Sequence, residues 1–154
     1  MSAVLFRDAE RRDVPAIVRL LADDALGAQR ERVEDPLPAS YYRAFDAMCG
    51  QEGNALIVGE RDGLVVACLQ LSITHGLARQ GRVRATIEAV RVARDLRGQG
   101  IGERLVAHAI ERARRAGAGT AQLTTDKSRT DAHRFYERLG FKRSHEGMKL
   151  DIGP

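Results

Sequence analysis

The sequence predicts an α/β (α+β) fold in which helices pack on a mixed β-sheet. Two apolar runs joined by a tight turn in the first half indicate a β-hairpin, and the second half alternates strand-like and helix-like segments in the order β-α-β-α-β. The 154 residues are 44% hydrophobic, which is enough for one domain with a buried core. We therefore expect a single domain over residues 1–154.

The first half predicts strand, helix, helix and hairpin in that order. A short strand over residues 3–7 precedes a helix that begins after Asp13, a typical N-cap residue, and ends at Gly27. A second helical pattern over residues 41–48 follows. The hairpin turn contains Asp62 and Gly63, a pair that suits the positive φ angles of such turns.

The strand over residues 82–93 changes its pattern midway. Ala85 and Ile87 share one face, whereas Val90 and Val92 have the opposite parity. A β-bulge produces such a phase change, and bulges are frequent beside active sites. A strand that is buried on both faces is the alternative.

The remaining elements complete the β-α-β-α-β order. The pattern predicts a helix over residues 101–113, a strand over residues 121–125, a helix over residues 130–139, and two short strands around Phe141 and over Met148–Ile152.

A glycine-rich turn lies between the strand at residues 82–93 and the following helix. Free N–H groups at the start of a helix, together with the helix dipole, suit a phosphate or pyrophosphate group. A P-loop needs Gly-Lys-Ser/Thr and a dinucleotide fingerprint needs G-x-G-x-x-G, and the turn contains neither. The anion-binding residues are predicted to be Arg97, Gly98, Gln99, Gly100, Ile101 and Gly102.

The segment VRVARDLRGQGIG, residues 90–102, resembles the acetyl-CoA-binding motif of the GNAT superfamily of N-acetyltransferases. The core pattern Gln/Arg-x-x-Gly-x-Gly/Ala is matched by Arg97, Gly100 and Gly102. The later DAHRFYERLGF is similar to the second signature of the family, and the C-terminal part is similar to a branch that includes aminoalkylphosphonate N-acetyltransferases. The resemblance implies a mixed, mostly antiparallel sheet of six to seven strands, with helices on both faces and a bulged, splayed central strand.

The same resemblance implies that acetyl-CoA is the co-substrate and that its acetyl group passes to a primary amine by direct attack in a ternary complex. The acceptor is expected to be a small molecule of unidentified structure. Main-chain groups of Val90 and Val92 would bind the pantetheine arm, and the amides of residues 97–102 would bind the pyrophosphate. Asp126 stands near the place where many relatives have a pantetheine-binding Asn.

Two residues are implied to carry the proton transfers. Glu88 would deprotonate the amine, commonly through water, with a pKa raised by partial desolvation, and Tyr136 would protonate the leaving thiolate. The alternative for Glu88 is a solvent-facing residue paired with Arg84, Arg91 or Arg94. The alternative for Tyr136 is a core-packing residue with a satisfied hydroxyl.

The net charge of +4 is unevenly distributed. Residues 1–78 contain 8 Arg and 12 Asp and Glu, whereas residues 79–115 contain 10 Arg and 4 Asp and Glu. This asymmetry suggests one anionic and one cationic ligand, and a salt-bridged solvated surface is the alternative. In similar enzymes the first two helices and their connecting loop form the acceptor pocket, so one or two acids of this region could attract an ammonium group, and a solvated face is the alternative. These acids are Asp23, Asp24, Glu31, Glu34 and Asp35.

Composition excludes several other classes. The four histidines and the two cysteines, Cys49 and Cys68, lack ligand spacing, so no metal site is expected. Without an apolar run of about 20 residues we expect no membrane span and a cytoplasmic location. The alternatives to an enzyme are a regulatory protein that binds acyl-CoA without turnover and a regulator that binds nucleic acid, although no nucleic acid is expected. Similar enzymes are often dimeric, so a homodimer is also considered.

Overall fold

Five strands form one sheet in the computed structural model, which describes residues 2–154. The sheet order follows the chain order, with antiparallel pairs up to the fourth strand and a parallel pair between the fourth and the fifth. The strands are β1 (Leu5–Asp8), β2 (Asn54–Arg61), β3 (Leu64–Thr74), β4 (Arg84–Val92) and β5 (Thr120–Gln122).

Helices connect the strands and cover both faces of the sheet, as expected. They are α1 (Val14–Ala22), α2 (Ala25–Arg30), α3 (Ala39–Cys49), the single turn α4 (Ala78–Gly81), α5 (Ile101–Arg115) and α6 (Thr130–Arg138), with 3-10 turns at Arg11–Asp13 and Arg94–Leu96. None of the helices described within residues 2–154 has the length and apolar character that crossing a membrane requires.

The core is divided by the sheet. On one face, Ile101 and Leu105 of α5 pack against buried residues of β2, β3 and β4 such as Leu69 and Ile87. On the other face, Ile17 of α1 packs against β2 and β3, and α3 adds a smaller cluster at its edge. The apolar stripes seen in the sequence therefore mark the buried sides of these helices.

The predicted bulge is present in β4. Cys68 of β3 pairs with Arg91 and Gln70 pairs with Glu88, so two residues of β4 lie opposite the single residue between them on β3. Ala89 has a φ of 54°, a left-handed conformation that a bulged residue can adopt. The phase change in the sequence therefore reflects an extra residue in the strand.

The predicted end of the first helix is wrong. The helix breaks at Asp23, and Gly27 lies inside α2, where it is buried. A Cβ at Gly27 would lie 1.9 Å from the carbonyl oxygen of Leu21. Glycine is required here because the two helices approach closely, and it does not terminate a helix.

The sheet has five strands and not the six to seven expected. The segments around Phe141 and over Met148–Ile152 form no strand in the described chain. Only β5 lies beyond β4, so the bulged strand is next to the edge of the sheet. The two C-terminal segments have the sequence pattern of strands, but within residues 2–154 they form no ladder of backbone hydrogen bonds with the sheet.

Candidate active site

The glycine-rich turn provides open space at the start of α5. Gly98 and Gly100 both have a φ of 77°, and a Cβ at either position would meet no atom within 4 Å. α5 begins directly after Gly100, at Ile101. The first amides of the helix thus lie beside an uncovered backbone, an arrangement that fits a pyrophosphate group.

Gly102 differs from the other two glycines. A Cβ at Gly102 would lie 3.3 Å from Cζ of Phe135 and 3.5 Å from Cγ2 of Val92. This glycine allows α5 to pack closely against α6 and β4, a packing role that sequence reasoning missed. Its amide also lies in the first turn of α5, so the close packing at its Cα leaves the predicted role of the amide in binding pyrophosphate unchanged.

Arg97 holds the turn in place through its side chain. Its Nε donates a hydrogen bond to the carbonyl of Val92 at 3.1 Å, and its Nη2 lies 3.8 Å from a carboxylate oxygen of Asp23. Arg94 pairs with the same carboxylate at 3.0 Å. The end of α1 is therefore tied to the segment that precedes the turn.

The bulged part of β4 has one free edge. β5 pairs only with Arg84, Ala85 and Thr86, so the two parallel strands separate before Val90 and Val92 are reached. The carbonyl of Val90 accepts a hydrogen bond from Nη1 of Arg91 at 2.9 Å. Among the described residues no strand pairs with this edge at Val90 and Val92, and the carbonyls of these two residues accept hydrogen bonds only from the side chains of Arg91 and Arg97.

The bulge places Glu88 and Arg91 on one face of the sheet. Their partners Gln70 and Cys68 are two residues apart on β3, and residues two apart share a face. Cys68 packs against Ile17 of α1, so this is the face covered by α1. Residues three apart lie on opposite faces of a regular strand, so the bulge is what brings Glu88 and Arg91 to the same face.

The Glu88 side chain is exposed. Within residues 2–154 it forms no ion pair with Arg84, Arg91 or Arg94, the partners considered from the sequence. The partial desolvation invoked for its role as a base is likewise not seen in the protein alone. A carboxylate in this position is free to meet a ligand.

Tyr136 lies half-buried between two aromatic rings. Its ring is 5.0 Å from that of Phe135 and 5.8 Å from that of Phe141, both edge to face. Burial raises the pKa of Tyr136, and the charges of Arg91 and Arg129 partly oppose this shift. Among the hydrogen bonds of the described residues, none involves its hydroxyl, so core packing leaves that group available.

Asp24, Arg91 and Arg129 form a charged cluster near Tyr136, which we call the Asp24 cluster. Oδ2 of Asp24 lies 2.5 Å from Nη1 of Arg129 and 4.0 Å from Nε of Arg91. Burial raises the pKa of Asp24, but the Gly27 amide and Arg129 outweigh it, so the net shift is downward. Nε of Arg91 is buried and has no hydrogen-bond acceptor within residues 2–154.

Asp126 is engaged in a local turn. Its Oδ1 accepts hydrogen bonds from the backbone amide of Ser128 at 3.0 Å and from the Ser128 hydroxyl at 2.7 Å. The hydroxyl bond is the main cause that lowers the pKa of Asp126. One of its two carboxylate oxygens is thus occupied within the loop that precedes α6.

The acids of the first half and the arginines of the second half pair with one another. Asp23 and Asp24 bind arginines of β4, of the following turn and of the loop before α6, and Asp8 pairs with Arg112. The salt-bridged alternative therefore describes part of the charge asymmetry. Within residues 2–154 no group of three or more His, Cys, Asp or Glu side chains could hold a metal ion.

Comparison with known proteins identifies the family. The sequence profile of the acetyltransferase (GNAT) family matches residues 16–141. The chain belongs to the GNAT family. Enzymes of this family use acetyl-CoA as co-substrate, a ligand with a pyrophosphate group of the kind predicted to bind at the turn.

Two N-acetyltransferases are similar to part of this chain. The aminoalkylphosphonate N-acetyltransferase of Salmonella typhimurium (strain LT2) is 44% identical over 85 residues, covering 55% of this chain and 54% of the relative. The glucosamine 6-phosphate N-acetyltransferase of Trypanosoma brucei brucei is 32% identical over 90 residues, covering 58% and 59%. The chain thus spans little more than half the length of these curated relatives.

A solved structure matches nearly the whole GNAT chain. A transcriptional regulator from Bacillus halodurans C-125 is 51% identical, has a TM-score of 0.94, and covers 97% of this chain and 100% of its own. The five-stranded arrangement described above is therefore close to that of a known protein.

Proposed function

We propose that this protein transfers the acetyl group of acetyl-CoA to the primary amine of a small acceptor that also carries a phosphonate or phosphate group. The observation that carries the proposal is the Asp24 cluster: its Arg91 shares a face of β4 with Glu88, and the charges of Arg91 and Arg129 act on Tyr136. Membership in the GNAT family supports the reaction type.

The donor end of the site is formed by the turn and the free edge of β4. The amides of residues 97–102 would hold the pyrophosphate, since the space above Gly98 and Gly100 is open. Main-chain groups of Val90 and Val92, together with Asp126, would hold the pantetheine arm. Acetyl-CoA then supplies the acetyl group to be transferred.

The acid and the base stand on different elements. An alkylamine is mostly protonated at neutral pH, so attack requires a base, and the exposed Glu88 carboxylate can accept that proton directly or through water. Bound substrates would supply the desolvation that Glu88 lacks in the free protein. Tyr136, whose pKa is raised by burial, keeps its proton for the departing thiolate.

The Asp24 cluster supports an anionic acceptor. Arg91 and Arg129 bring two positive charges to a site where Asp24 brings one negative charge. The buried Nε of Arg91 also has no acceptor in the described chain, and a phosphonate oxygen would supply one. Two relatives, an aminoalkylphosphonate and a glucosamine 6-phosphate N-acetyltransferase, are named for amines that carry such a group.

Calorimetry and a thiol-release assay test the proposal. We expect acetyl-CoA to bind, and CoA to be released only when an amine is added. The informative acceptors are matched pairs: an aminoalkylphosphonate against the alkylamine of equal length, and glucosamine 6-phosphate against glucosamine. Acetyl-CoA binding without release would favour a non-catalytic acyl-CoA-binding protein, and equal rates within each pair would contradict an anionic acceptor.

The substitution Arg91→Gln tests the anionic group directly. We expect it to raise KM for the phosphonate or phosphate acceptor about tenfold or more, because a charge-assisted hydrogen bond contributes roughly 1.5–3 kcal/mol. Arg94→Gln is the matched control, since Arg94 pairs with Asp23 outside the Asp24 cluster. A similar KM in both variants would contradict the assignment.

The substitution Glu88→Gln tests the base. We expect kcat/KM to fall by about 10²-fold or more near neutral pH, and the loss to shrink at alkaline pH, where more of the amine is already unprotonated. Glu52→Gln, at an exposed position before β2, is the control. Full activity of the Glu88 variant at every pH would rule out its role.

A regulator that binds nucleic acid is the second candidate. The relative from Bacillus halodurans, which matches 97% of this chain and is described as a transcriptional regulator, favours it. Against it, four of the ten arginines of residues 79–115 pair with acids of the first half, namely Arg91, Arg94, Arg97 and Arg112. Duplex DNA binding that weakens steeply with salt, without CoA release from any amine, would establish this candidate in place of the enzyme.

A further inference from the structure

The end of α1 contacts the segment before the glycine-rich turn through one residue, Asp23. Arg94 begins the 3-10 turn after β4, and Arg97 directly follows that turn. The carboxylate of Asp23 lies 3.0 Å from Nη2 of Arg94 and 3.8 Å from Nη2 of Arg97. The backbone carbonyl of Asp23 accepts hydrogen bonds from the same two nitrogens, each at 3.4 Å. Asp23 thus binds both arginines through two different groups.

The position of Asp23 at a helix end explains why it attracts two cations. The last carbonyls of a helix have no partner within the helix, and the helix dipole places partial negative charge there. α1 ends at Ala22 because the backbone of Asp23 leaves the helical range, with a ψ of 41°. The carbonyl and the carboxylate of Asp23 therefore present negative charge at the same place. Two guanidinium groups, each with several donors, can satisfy both.

The glycine-rich turn has few contacts that would fix its backbone. Residues 97–100 are exposed, and a Cβ at Gly98 or Gly100 would meet no atom within 4 Å. The amides of Gly98, Gln99 and Gly100 donate none of the backbone–backbone hydrogen bonds found within residues 2–154. Glycine also loses more conformational freedom than any other residue when its backbone is fixed. The conformation of this turn therefore depends on contacts at its entry.

Arg97 stands at that entry and is fixed from two directions. Its Nε donates to the carbonyl of Val92, the last residue of β4, and its Nη2 contacts Asp23 at the end of α1. A guanidinium is planar, so its donors hold two acceptors in a defined geometry. The backbone of Arg97 begins the series of amides predicted to bind pyrophosphate. The place of Arg97 consequently determines where that series starts.

We propose that Asp23 is a positioning residue for acetyl-CoA: by holding Arg94 and Arg97 it fixes the entry of the glycine-rich turn. The amides of residues 97–102 are then arranged for the pyrophosphate before the cofactor arrives. Such preorganisation increases affinity because less conformational freedom is lost on binding. The inference rests on the proposed role of the turn in binding pyrophosphate.

The sign of the effect separates positioning from simple electrostatics. Removing a negative charge beside an anion site would by itself strengthen the binding of pyrophosphate. Loss of positioning weakens it, because the two arginines and the turn become mobile. We expect Asp23→Asn to raise the Kd of CoA about three- to tenfold, the effect of losing two partly exposed ion pairs. Asparagine is also accepted at helix ends, so α1 should keep its length.

A series of ligands locates the effect at the pyrophosphate group. CoA and dephospho-CoA both contain this group, whereas pantetheine does not. Calorimetry measures the first two ligands, and NMR titration measures the weaker binding of pantetheine. We expect Asp23→Asn to weaken CoA and dephospho-CoA by the same factor and to leave pantetheine unchanged. Asp8→Asn is the matched control, since Asp8 also pairs with an arginine of the second half, Arg112 in the last turn of α5.

The protein without ligand provides a second measurement. The ¹⁵N order parameters of Gly98 and Gly100 are expected to be lower in Asp23→Asn than in the wild type. A double variant, Arg94→Met with Arg97→Met, removes both partners of the acid. Adding Asp23→Asn to that double variant should weaken CoA no further, because Asp23 acts through these two arginines.

The possible outcomes are distinct. If the wild type bound CoA no better than pantetheine, the turn would have no role in binding pyrophosphate, and the inference would fall with it. A wild type that prefers CoA, together with an unchanged or lower Kd in Asp23→Asn, would overturn the inference alone. Equal weakening of CoA and pantetheine would also overturn it, because the effect would then be a general loss of structure.

Discussion

Tyr136 is the residue whose chemistry depends most on its surroundings. Burial raises the pKa of its hydroxyl, which forms no hydrogen bond within the described chain. We expect Tyr136→Phe to lower kcat by about 10²-fold while acetyl-CoA affinity stays nearly unchanged, because a proton donor acts on the departing thiolate and not on binding. Steady-state kinetics and calorimetry measure the two effects.

Tyr42→Phe is the matched control for this variant. Tyr42 also carries a hydroxyl, but its ring lies under the guanidinium of Arg11, on another part of the surface. Equal kcat values for Tyr136→Phe and the wild type would leave Tyr136 with a packing role alone.

Asp13 is a structural counterpart to these site residues. Only 6% of it is exposed, and its carboxylate accepts hydrogen bonds from Nη1 of Arg7 and from the Glu10 amide, each at 2.7 Å. We expect Asp13→Asn to lower the free energy of unfolding by roughly 1.5–3 kcal/mol, the usual contribution of a hydrogen bond to a charged group. Chemical denaturation measures this, with Asp46→Asn as an exposed control whose effect should be small.

The same variant has a defined pH dependence. The hydrogen bond from Arg7 is the main cause that lowers the pKa of Asp13 in the folded protein. The wild-type advantage is therefore complete above the unfolded-state pKa of about 3.9 and disappears as the pH falls through the lower folded-state value. An advantage that persisted unchanged in strong acid would show that the carboxylate charge is not its source.

At the scale of the element, Gly27 connects α1 and α2. A Cβ at this position would lie 1.9 Å from the carbonyl oxygen of Leu21, a backbone atom that can move only with its helix. We expect Gly27→Ala to destabilise the protein by about 1–3 kcal/mol through overpacking. Thermal unfolding measures the effect, and Gly50→Ala is the control because its nearest neighbour is 3.7 Å away. Equal melting temperatures for the two variants would contradict the close approach.

Elements with strong local signals were predictable from the sequence. The Asp62-Gly63 turn has the positive φ angles that its residues favour, and the parity change in β4 marks a true bulge. The break at Asp23 was hidden, because apolar residues continue at helical spacing and Gly27 resembles a helix end. The segment over Met148–Ile152 has the sequence pattern of a strand but lacks a strand partner in the described chain, which no local signal reveals.

The site was predictable only in part. Glu88 and Tyr136 were suggested by similarity to a family, and their roles stay predictions. The Asp24 cluster was missed, because Asp24 and Arg129 are far apart in the sequence and meet only where α2 lies beside the loop before α6. Asp24 was considered as a ligand for an ammonium group, whereas the structure pairs it with arginines.

At the scale of the whole molecule, charge ties the two halves of the chain together. Asp8, Asp23 and Asp24 of the first half all pair with arginines of the second half. The sequence suggested that each half serves its own ligand, and it could not show this pairing because ion pairs depend on folded proximity. The protein thus has less free charge around the turn than the count of arginines implies.

The two cysteines report on the integrity of the whole molecule. Cys68 is fully buried and its pKa is raised to about 12 by that burial, whereas Cys49 is exposed. We expect one thiol to react with an aromatic disulfide reagent at once, and the second only at the rate of global opening, since Cys68 lies in the core. Mass spectrometry identifies the modified residue, and Cys49→Ser should remove the fast phase.

Rapid labelling of both cysteines would contradict the burial of Cys68. The Cys49→Ser background also suits the thiol-release assay, because it removes the exposed protein thiol that would add to the signal.

The bulge in β4 makes the number of residues in that strand a determinant of chemistry. Side chains alternate across a sheet, so Glu88 and Arg91, three positions apart, would lie on opposite faces in a regular strand of this length, and the extra residue at Ala89 brings them to the same face. Deleting Ala89 would leave Glu88 opposite Gln70 and Arg91 opposite Cys68, but it would remove the bulge and its left-handed backbone. A deletion variant therefore separates the contribution of the bulged backbone from that of the two side chains, which no substitution of either side chain can do.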